Sequence, residues 1–397
     1  MTDTPKSQYT DFSCPNPECS EFRQFNHENI IYRSMTGKNK DIERLKCRQC
    51  KKEFSSRRGT LMEYSKISSE KRKLMLKCHR WGVCDEGIAN ICEVDTKTVQ
   101  LFQKKTAQRE RSHHDQEVKD LDDLGIQQDE AHSKIGGVGA YWIGAAITMQ
   151  SLLIVSITFG ARSQEMADTL LAQIMARFKT IPMFLTDGWQ PYATALVKRF
   201  GEFFTPVRKG LRGRFPVPRL KMPTTLIYAQ VVKARNASGY ITGVTQKVFF
   251  GPIAQCIDYI RNNKLGNTIH TIHIERWFGT LRCSVPCFRR RTRCMSKNID
   301  RHKNKVWIFV GLYNWLIPHR TLSEKGRKCT PAMAAGLIDH PMTYEEYIWL
   351  PVHPDLEMTN KVKKELELIR SKERTEAATR YRYQEAVASV PEENIAC

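Results

Sequence analysis

The stretch Leu124–His132, LGIQQDEAH, is typical of a β-strand and carries two adjacent acids. Side chains alternate between the two faces of a strand, so we expect Asp129 and Glu130 to point to opposite sides, with only one of them facing a given site. Two apolar segments follow, YWIGAAITM at Tyr141–Met149 and LLIVSITF at Leu152–Phe159. The short turn between them predicts an antiparallel pair of strands.

A helix and a further strand continue this pattern. Ser163 can cap a helix with apolar side chains at helical spacing. Ile181–Leu185 predicts a fourth strand, and Pro191–Phe200 predicts a second helix. Three strands, a helix, a strand and a helix are the order expected of a ribonuclease-H-like domain, which is an α/β fold with a mixed sheet and helices. Asp187 ends the fourth strand, where an α/β sheet exposes its site, although an ordinary turn before Gly188 is the alternative.

A third acid lies on a predicted helix within Thr271–Arg293, TIHIERWFGTLRCSVPCFRRRTR. Four apolar side chains recur there at helical spacing: Ile274, Trp277, Phe278 and Leu281. They predict an amphipathic helix, which Pro286 should end because proline has no amide proton to donate. Glu275 lies off the apolar stripe. It is either a surface glutamate in a salt bridge or a metal-binding carboxylate, and the second interpretation needs at least two more carboxylates.

Positive charge surrounds this acid. Residues 201–320 hold 22 Lys or Arg but four acids, and the whole chain has a formal charge of +21. Such a balance favours a polyanionic partner, since Lys and Arg release counterions from phosphates, and it fits a membrane surface less well. The predicted phosphate contacts in this region are Arg208, Lys209 and Arg212 in one loop and Arg289, Arg290, Arg291 and Arg293 after the Glu275 helix. Thr225–Val232 and Tyr240–Phe250 predict a small hairpin extension.

Two pairs of cysteines near the start have metal-ligand spacing. Cys14 and Cys19 are separated by four residues, and Cys47 and Cys50 by two. Close pairs with a hairpin-sized insert predict a zinc ribbon, in which four thiolates hold a structural Zn²⁺. Four unrelated thiols are the alternative.

A helix-turn-helix is predicted next. Glu86–Ile91 favours a short helix, Glu93–Asp95 a turn, and the segment from Thr96 a longer basic helix that would enter the major groove of DNA. The expected DNA contacts are Thr96, Lys97, Thr98, Gln100 and Lys104. An ordinary three-helix packing unit is the alternative. The charged segment that follows predicts a linker or an exposed helix, with solvated histidines at His113 and His114.

Length and composition limit the function classes. The 397 residues allow two or three domains, and 41% hydrophobic residues can form a normal core. No run of 18 apolar residues and no signal sequence is present, so we expect a cytoplasmic protein without a membrane helix. The thirteen cysteines are then expected to be thiols or metal ligands.

Several motifs in this order resemble those of bacterial insertion-sequence transposases of the DDE type, in the group with an N-terminal zinc ribbon and helix-turn-helix. The motifs are IQQDEAHSKI, FLTDGWQPYATAL, HIERWFGTLR, RRRTRCMSKN and YNWLIPHRTL followed by TPAMAAGL. The resemblance implies that Asp129, Asp187 and Glu275 are the catalytic triad and hold Mg²⁺, for which Mn²⁺ should substitute. It implies double-stranded DNA as the partner, both as terminal inverted repeats and as target. A homo-oligomer associated with the nucleoid is also expected.

The predicted organisation has five segments: a zinc ribbon at 1–64, a helix-turn-helix domain at 65–110, a linker at 111–123, a ribonuclease-H-like catalytic domain at 124–351 and a charged helical tail at 352–397. Two other functions stay open. A transposase-derived regulator would bind DNA without catalysis, and a ribonuclease-H-like nuclease would cut DNA without joining it.

Overall fold

The computed structural model describes residues 9–37, 40–207, 216, 218–263, 265–352, 356–372 and 393–395. Its strands are β1 (Ile30–Thr36), β2 (Ile42–Cys47), β3 (Glu53–Ser55), β4 (Gly125–Ile135), β5 (Gly139–Thr148), β6 (Ile154–Gly160), β7 (Met183–Asp187), β8 (Glu202–Phe204), β9 (Arg219–Lys221), β10 (Tyr228–Arg235), β11 (Ile241–Phe250) and β12 (Glu393–Ile395). Its α-helices are α1 (Ser69–Arg80), α2 (Asp85–Cys92), α3 (Thr96–Glu117), α4 (Gln164–Met175), α5 (Gln190–Phe200), α6 (Ile253–Asn262), α7 (Ile272–Ser284), α8 (Ile299–Gly311), α9 (Pro331–Ala334), α10 (Tyr344–Trp349) and α11 (Leu356–Ser371). A short 3₁₀ turn, Pro286–Phe288, follows α7, and a π-helical turn, Leu312–Leu316, follows α8.

The contacts divide the chain into two units, and the first joins distant parts of the sequence. It comprises Met1–Met75 and Thr343–His353. Its antiparallel sheet has the order β1-β2-β3. The Leu61 amide donates to the Ile348 carbonyl at 3.0 Å, which ties α10 to the N-terminal segment. Residues 343–351 were assigned to the predicted catalytic domain, but they belong to the first unit.

The second unit comprises Leu76–Met342 and Pro354–Cys397 and is built on a mixed α/β sheet. The seven strands have the order β12-β11-β10-β7-β4-β5-β6. The pairs β4–β7 and β7–β10 are parallel, and the others are antiparallel. The strands predicted at β4, β5, β6 and β7 are confirmed, as is the antiparallel pairing of β5 with β6.

One sheet prediction was wrong. β10 and β11 are not a separate hairpin extension, because β10 pairs in parallel with β7 inside the main sheet. Tyr228, Ala229, Gln230 and Val231 are consecutive and all buried. A strand that is buried on both faces needs helices on both sides, and a central position in the sheet provides them.

Helix α3 corrects the predicted linker. It runs without interruption to Glu117, so residues 111–117 are its last turns. His113 and His114 are buried instead of solvated, and the His114 ring nitrogen Nε2 bonds to the Ile154 carbonyl of β6 at 3.0 Å. The C-terminal half of α3 therefore packs in the second unit, and α2 and α3 do not form a unit of their own. The two helices and the turn of the predicted helix-turn-helix are present as α2 and α3, and Glu93 in the turn has a left-handed backbone conformation with φ 51°.

The predicted helix around Glu275 is confirmed. α7 buries Ile274, Trp277, Phe278 and Leu281 as its apolar stripe predicts, and it ends just before Pro286. Among the described residues, no helix is both long enough and apolar enough to span a membrane.

Candidate active site and metal centres

Two acids meet where a pair of parallel strands ends. The last pair between β4 and β7 is Gln128 with Thr186, and Asp129 and Asp187 are the next residues on the two strands. The Asp187 carboxylate also accepts the Trp189 amide at 3.0 Å, which fixes its side chain at the start of the next turn. The structure thus brings together the two aspartates that the sequence predicts on the first and fourth strands.

Glu130 joins them, and the prediction that only one of the two adjacent acids could reach the site was wrong. Asp129, Glu130 and Asp187 each offer a carboxylate oxygen within 4.8 Å of the other two. We call these three residues the carboxylate cluster. Because the pairing with β7 ends at Gln128, this edge of β4 is open at Asp129 and Glu130, and Asp187 can approach the side chains on both faces. The Glu130 side chain is held by the Tyr192 hydroxyl, which donates to Oε2 at 2.9 Å, and by Arg162, whose Nε donates to Oε1 at 2.6 Å.

Glu275 lies beside the carboxylate cluster and is not part of it. Its Oε1 forms an ion pair with Lys233 of β10 and accepts the Thr271 hydroxyl at 2.9 Å. It nevertheless lines the same cavity as Asp129 and Asp187, a space of about 680 Å³ that we call the carboxylate cavity. Its carboxylate faces this cavity while the apolar stripe of α7 is buried on the other side.

Burial and mutual repulsion make the ionised state of the carboxylate cluster costly. Burial, followed by the charges of Asp187 and Glu130, raises the pKa of Asp129 to about 7. Burial and the charge of Asp187 raise the pKa of Glu130, and burial raises that of Asp187. Like charges held this close favour protonation unless a cation lies between them.

The residues therefore fit a hard divalent cation. Carboxylate oxygens are the ligands that Mg²⁺ and Mn²⁺ prefer, and three of them converge here from two strands. The only ion-pair partner described for the cluster is Arg162, on Glu130. Asp129 instead accepts the Glu130 amide at 2.8 Å, so its second oxygen has room for another ligand.

A buried glutamine connects the strand of Asp129 to the helix of Glu275. Gln127 is fully buried, and its Oε1 accepts the backbone amides of His273 at 2.9 Å and Ile274 at 3.2 Å. Its Nε2 donates to the His270 carbonyl at 2.9 Å. These bonds satisfy amides at the first turn of α7, which have no partner within the helix. Gln127 therefore sets where α7 starts relative to β4, and sequence reasoning missed it.

Positive side chains line the carboxylate cavity. They are Arg162, Lys233, Arg282 and Arg290. Among the predicted phosphate contacts, Arg290, Arg291 and Arg293 are exposed. Arg289 is exposed too, but its guanidinium donates to the carbonyls of Cys283 at 3.3 Å and Gly82 at 3.4 Å, so part of it stabilises the end of α7.

The other predicted DNA contacts lie partly outside the described residues. Arg208, Lys209 and Arg212 fall there, so their placement is not described. On α3, Lys97 and Lys104 are exposed, and Thr96, Thr98 and Gln100 are partly exposed. Since positions 97 and 104 are two helical turns apart, both lysines lie on one outward face.

In the first unit, four thiols form a second candidate metal centre. Cys14, Cys19, Cys47 and Cys50 each place a sulfur within 4.8 Å of the others. The sulfurs of Cys14 and Cys50 are 3.5 Å apart, and those of Cys19 and Cys47 are 4.0 Å apart. A tetrahedral ion with bonds of about 2.3 Å places its sulfur ligands about 3.8 Å apart. The pKa of Cys50 is lowered to about 7 despite burial, because the Lys52 amide and neighbouring thiols donate to its sulfur. The set therefore has the dimensions of a Cys₄ metal site.

The comparison of this chain with protein-family models finds no matching family, and a search of curated proteins finds no match either.

Proposed function

We propose that this chain is a DNA transposase, which binds the ends of an insertion sequence and catalyses metal-dependent strand cleavage and strand transfer. The observation that carries the proposal is the carboxylate cluster where the parallel pairing of β4 with β7 ends, with Asp129 and Asp187 lining a cavity that arginine and lysine side chains also line. A site that combines carboxylates, which can bind metal ions, with basic side chains, which can bind phosphates, suits phosphoryl transfer on a nucleic acid. The sheet, in this proposal, is that of a ribonuclease-H-like domain.

Each acid has a role in the proposed reaction. Asp129 and Asp187 are the principal ligands of Mg²⁺ or Mn²⁺, and Glu130 is close enough to share one ion with them. Glu275, the third member of the expected triad, contributes from the rim of the cavity once it is released from Lys233. A bound pair of divalent ions supplies activation of a water or a 3′-hydroxyl and stabilisation of the leaving oxygen.

Basic side chains orient the DNA in this proposal. Arg282 and Arg290 line the carboxylate cavity and can hold the phosphates next to the one that is cut. The exposed lysines of α3 and a zinc ribbon at the four thiols would bind the terminal repeats, and the paired ends imply a homo-oligomer. The protein would act in the cytoplasm at the nucleoid.

A strand-transfer assay with labelled terminal-repeat DNA tests the proposal. We expect Asp129→Asn, Asp187→Asn and Glu275→Gln each to reduce joining at least about a hundred-fold while end binding is kept, because each removes a charge from the site. Asp258→Asn is the matched control, since Asp258 is exposed on α6 and away from the cavity lining.

The same assay separates the alternatives. Cleavage by the wild-type chain without joining would identify a nuclease, and end binding without cleavage would identify a regulator. Joining that persists in the three variants would show that the site is elsewhere.

A further inference from the structure

Two basic side chains that line the carboxylate cavity are paired with glutamates. Arg162 donates from Nε to Glu130 at 2.6 Å, and Lys233 forms an ion pair with Glu275. Both basic side chains line the cavity. A cation at a carboxylate oxygen occupies a position that a metal ion needs, because both bind the same lone pairs. Each of the two glutamates is therefore paired with a cation that would compete with a metal ion for its carboxylate oxygens.

Arg162 has a fixed position that does not depend on Glu130 alone. Its guanidinium lies over the ring of Trp142 at 5.2 Å and over that of Trp189 at 4.8 Å. Stacking on aromatic rings suits the planar guanidinium and leaves its edge donors available. The Arg162 side chain is 37% exposed, so those donors are accessible from the cavity. The two tryptophans can keep Arg162 in the cavity wall when its contact with Glu130 is lost.

We propose that DNA phosphates take over Arg162 and Lys233, which frees Glu130 and Glu275 to bind divalent metal, so that DNA and metal bind cooperatively. This inference rests on the proposed function and assigns a regulatory step to the same site. Arg162 presents a fork of donors that matches two phosphate oxygens, and this pairing is charge-assisted. Without DNA, the cations neutralise the acids; with DNA, the metal does so.

The Arg162–Glu130 pair and the Lys233–Glu275 pair should contribute unequally to the coupling between DNA and metal binding. The Glu130 side chain is 2% exposed, and a hydrogen bond between charged groups in such a place corresponds to about 10- to 100-fold in affinity. Lys233 and Glu275 are 31% and 43% exposed, and a pair in that setting corresponds to about two- to five-fold. Arg162 should therefore carry most of the coupling, and the coupling must be equal whether DNA or metal is added first.

The experiment measures binding of Mn²⁺ to the full chain by electron paramagnetic resonance, with and without a terminal-repeat duplex, after subtraction of the duplex alone. We expect the duplex to tighten Mn²⁺ binding to the wild-type chain at least about ten-fold. Arg162→Gln should bind Mn²⁺ about ten-fold more tightly than wild type without DNA, and its gain from DNA should fall below about three-fold. Arg162→Lys, which keeps the charge but loses the fork, should fall between the two.

Arg290→Gln is the matched control because it removes the same charge from the same cavity, while no acidic partner of Arg290 is described. It should weaken duplex binding and change Mn²⁺ affinity without DNA by less than about two-fold. Equal effects of Arg290→Gln and Arg162→Gln on Mn²⁺ affinity would overturn the inference, as would unchanged coupling in Arg162→Gln. Strand transfer by a wild-type chain that lacks coupling would overturn this inference alone. Coupling without strand transfer would refute the proposed function, and the absence of Mn²⁺ binding in all conditions would refute both.

Discussion

Replacing one acid of the carboxylate cluster should stabilise the metal-free protein. Asp129 has its pKa raised from 3.8 to about 7, so its folded form is penalised when ionised. At about 1.4 kcal/mol per pKa unit, this shift corresponds to about 4 kcal/mol above pH 7. Because the folded state binds the extra proton between pH 4 and 7, the penalty is absent below pH 4 and grows as the pH rises. Asp129→Asn removes the charge and keeps an oxygen that can accept the Glu130 amide.

The assay is thermal or urea unfolding in EDTA at pH 8 and pH 5. We expect Asp129→Asn to raise the free energy of unfolding by about 2–4 kcal/mol at pH 8 and by about half as much at pH 5. The exposed control Asp258→Asn should change it by less than about 0.5 kcal/mol.

Addition of Mg²⁺ should then remove most of this difference in stability. Wild type should gain about 2.7 kcal/mol at a Mg²⁺ concentration one hundred times its dissociation constant, whereas Asp129→Asn should gain little. A variant that is less stable than wild type in EDTA at pH 8 would refute the electrostatic reasoning. Equal stabilisation of both chains by Mg²⁺ would refute the assignment of the metal ligand.

The remaining predictions concern other parts of the structure. Gln127→Leu leaves two amides at the start of α7 and the His270 carbonyl without their partner. Urea unfolding should therefore show a free energy of unfolding lower by about 2–4 kcal/mol, against less than about 1 kcal/mol for the control Gln150→Leu at an exposed position. Equal losses in the two variants would contradict the role of Gln127. Burial lowers the pKa of His114 to about 3 and that of His302 to about 4. Below pH 6.5 the unfolded state therefore binds more protons than the folded state. The free energy of unfolding should fall by up to about 2.7 kcal/mol per pH unit between pH 6 and 4. Replacing both histidines by glutamine should flatten that part of the pH profile, and an unchanged slope would refute the assignment. Cys50→Ser should lower the zinc content measured by mass spectrometry from one ion per chain, and full zinc content in this variant would exclude the Cys₄ site.

Strand and helix patterns predicted much of the fold because they depend on neighbouring residues. The apolar stripe on α7, for example, records which face of that helix is buried. The position of β10 in the central sheet could not be derived in this way, since a buried strand and a hairpin arm share the same apolar sequence. The same limit applies to α3, whose charged C-terminal half is buried through bonds to residues far away in the sequence, such as Ile154.

The candidate site was also predicted only in part from the sequence. Asp129 was found as an acid within a predicted strand and Asp187 as the residue that ends another, and both are local signals. Glu130 was excluded because side chains alternate between the faces of a strand, but where the pairing with β7 has ended Asp187 can approach both faces of β4 from the open edge. Gln127 lies two residues before Asp129 and therefore on the same face of β4, which is the one signal that could have identified it.

The continuity of α3 has a consequence for where DNA would be cut. From the exposed Lys97 to the buried His114, seventeen helical steps of about 1.5 Å span about 26 Å. His114 bonds to β6, in the same sheet that carries the carboxylate cluster, so no tether lies between the outward face of α3 and that sheet. If α3 binds the terminal repeat, the number of base pairs between the bound sequence and the cut phosphate is fixed by the length of a stiff helix. Insertion of one helical turn, about 5.4 Å, between these two residues would then shift the cut relative to the bound sequence without changing the sequence that is recognised.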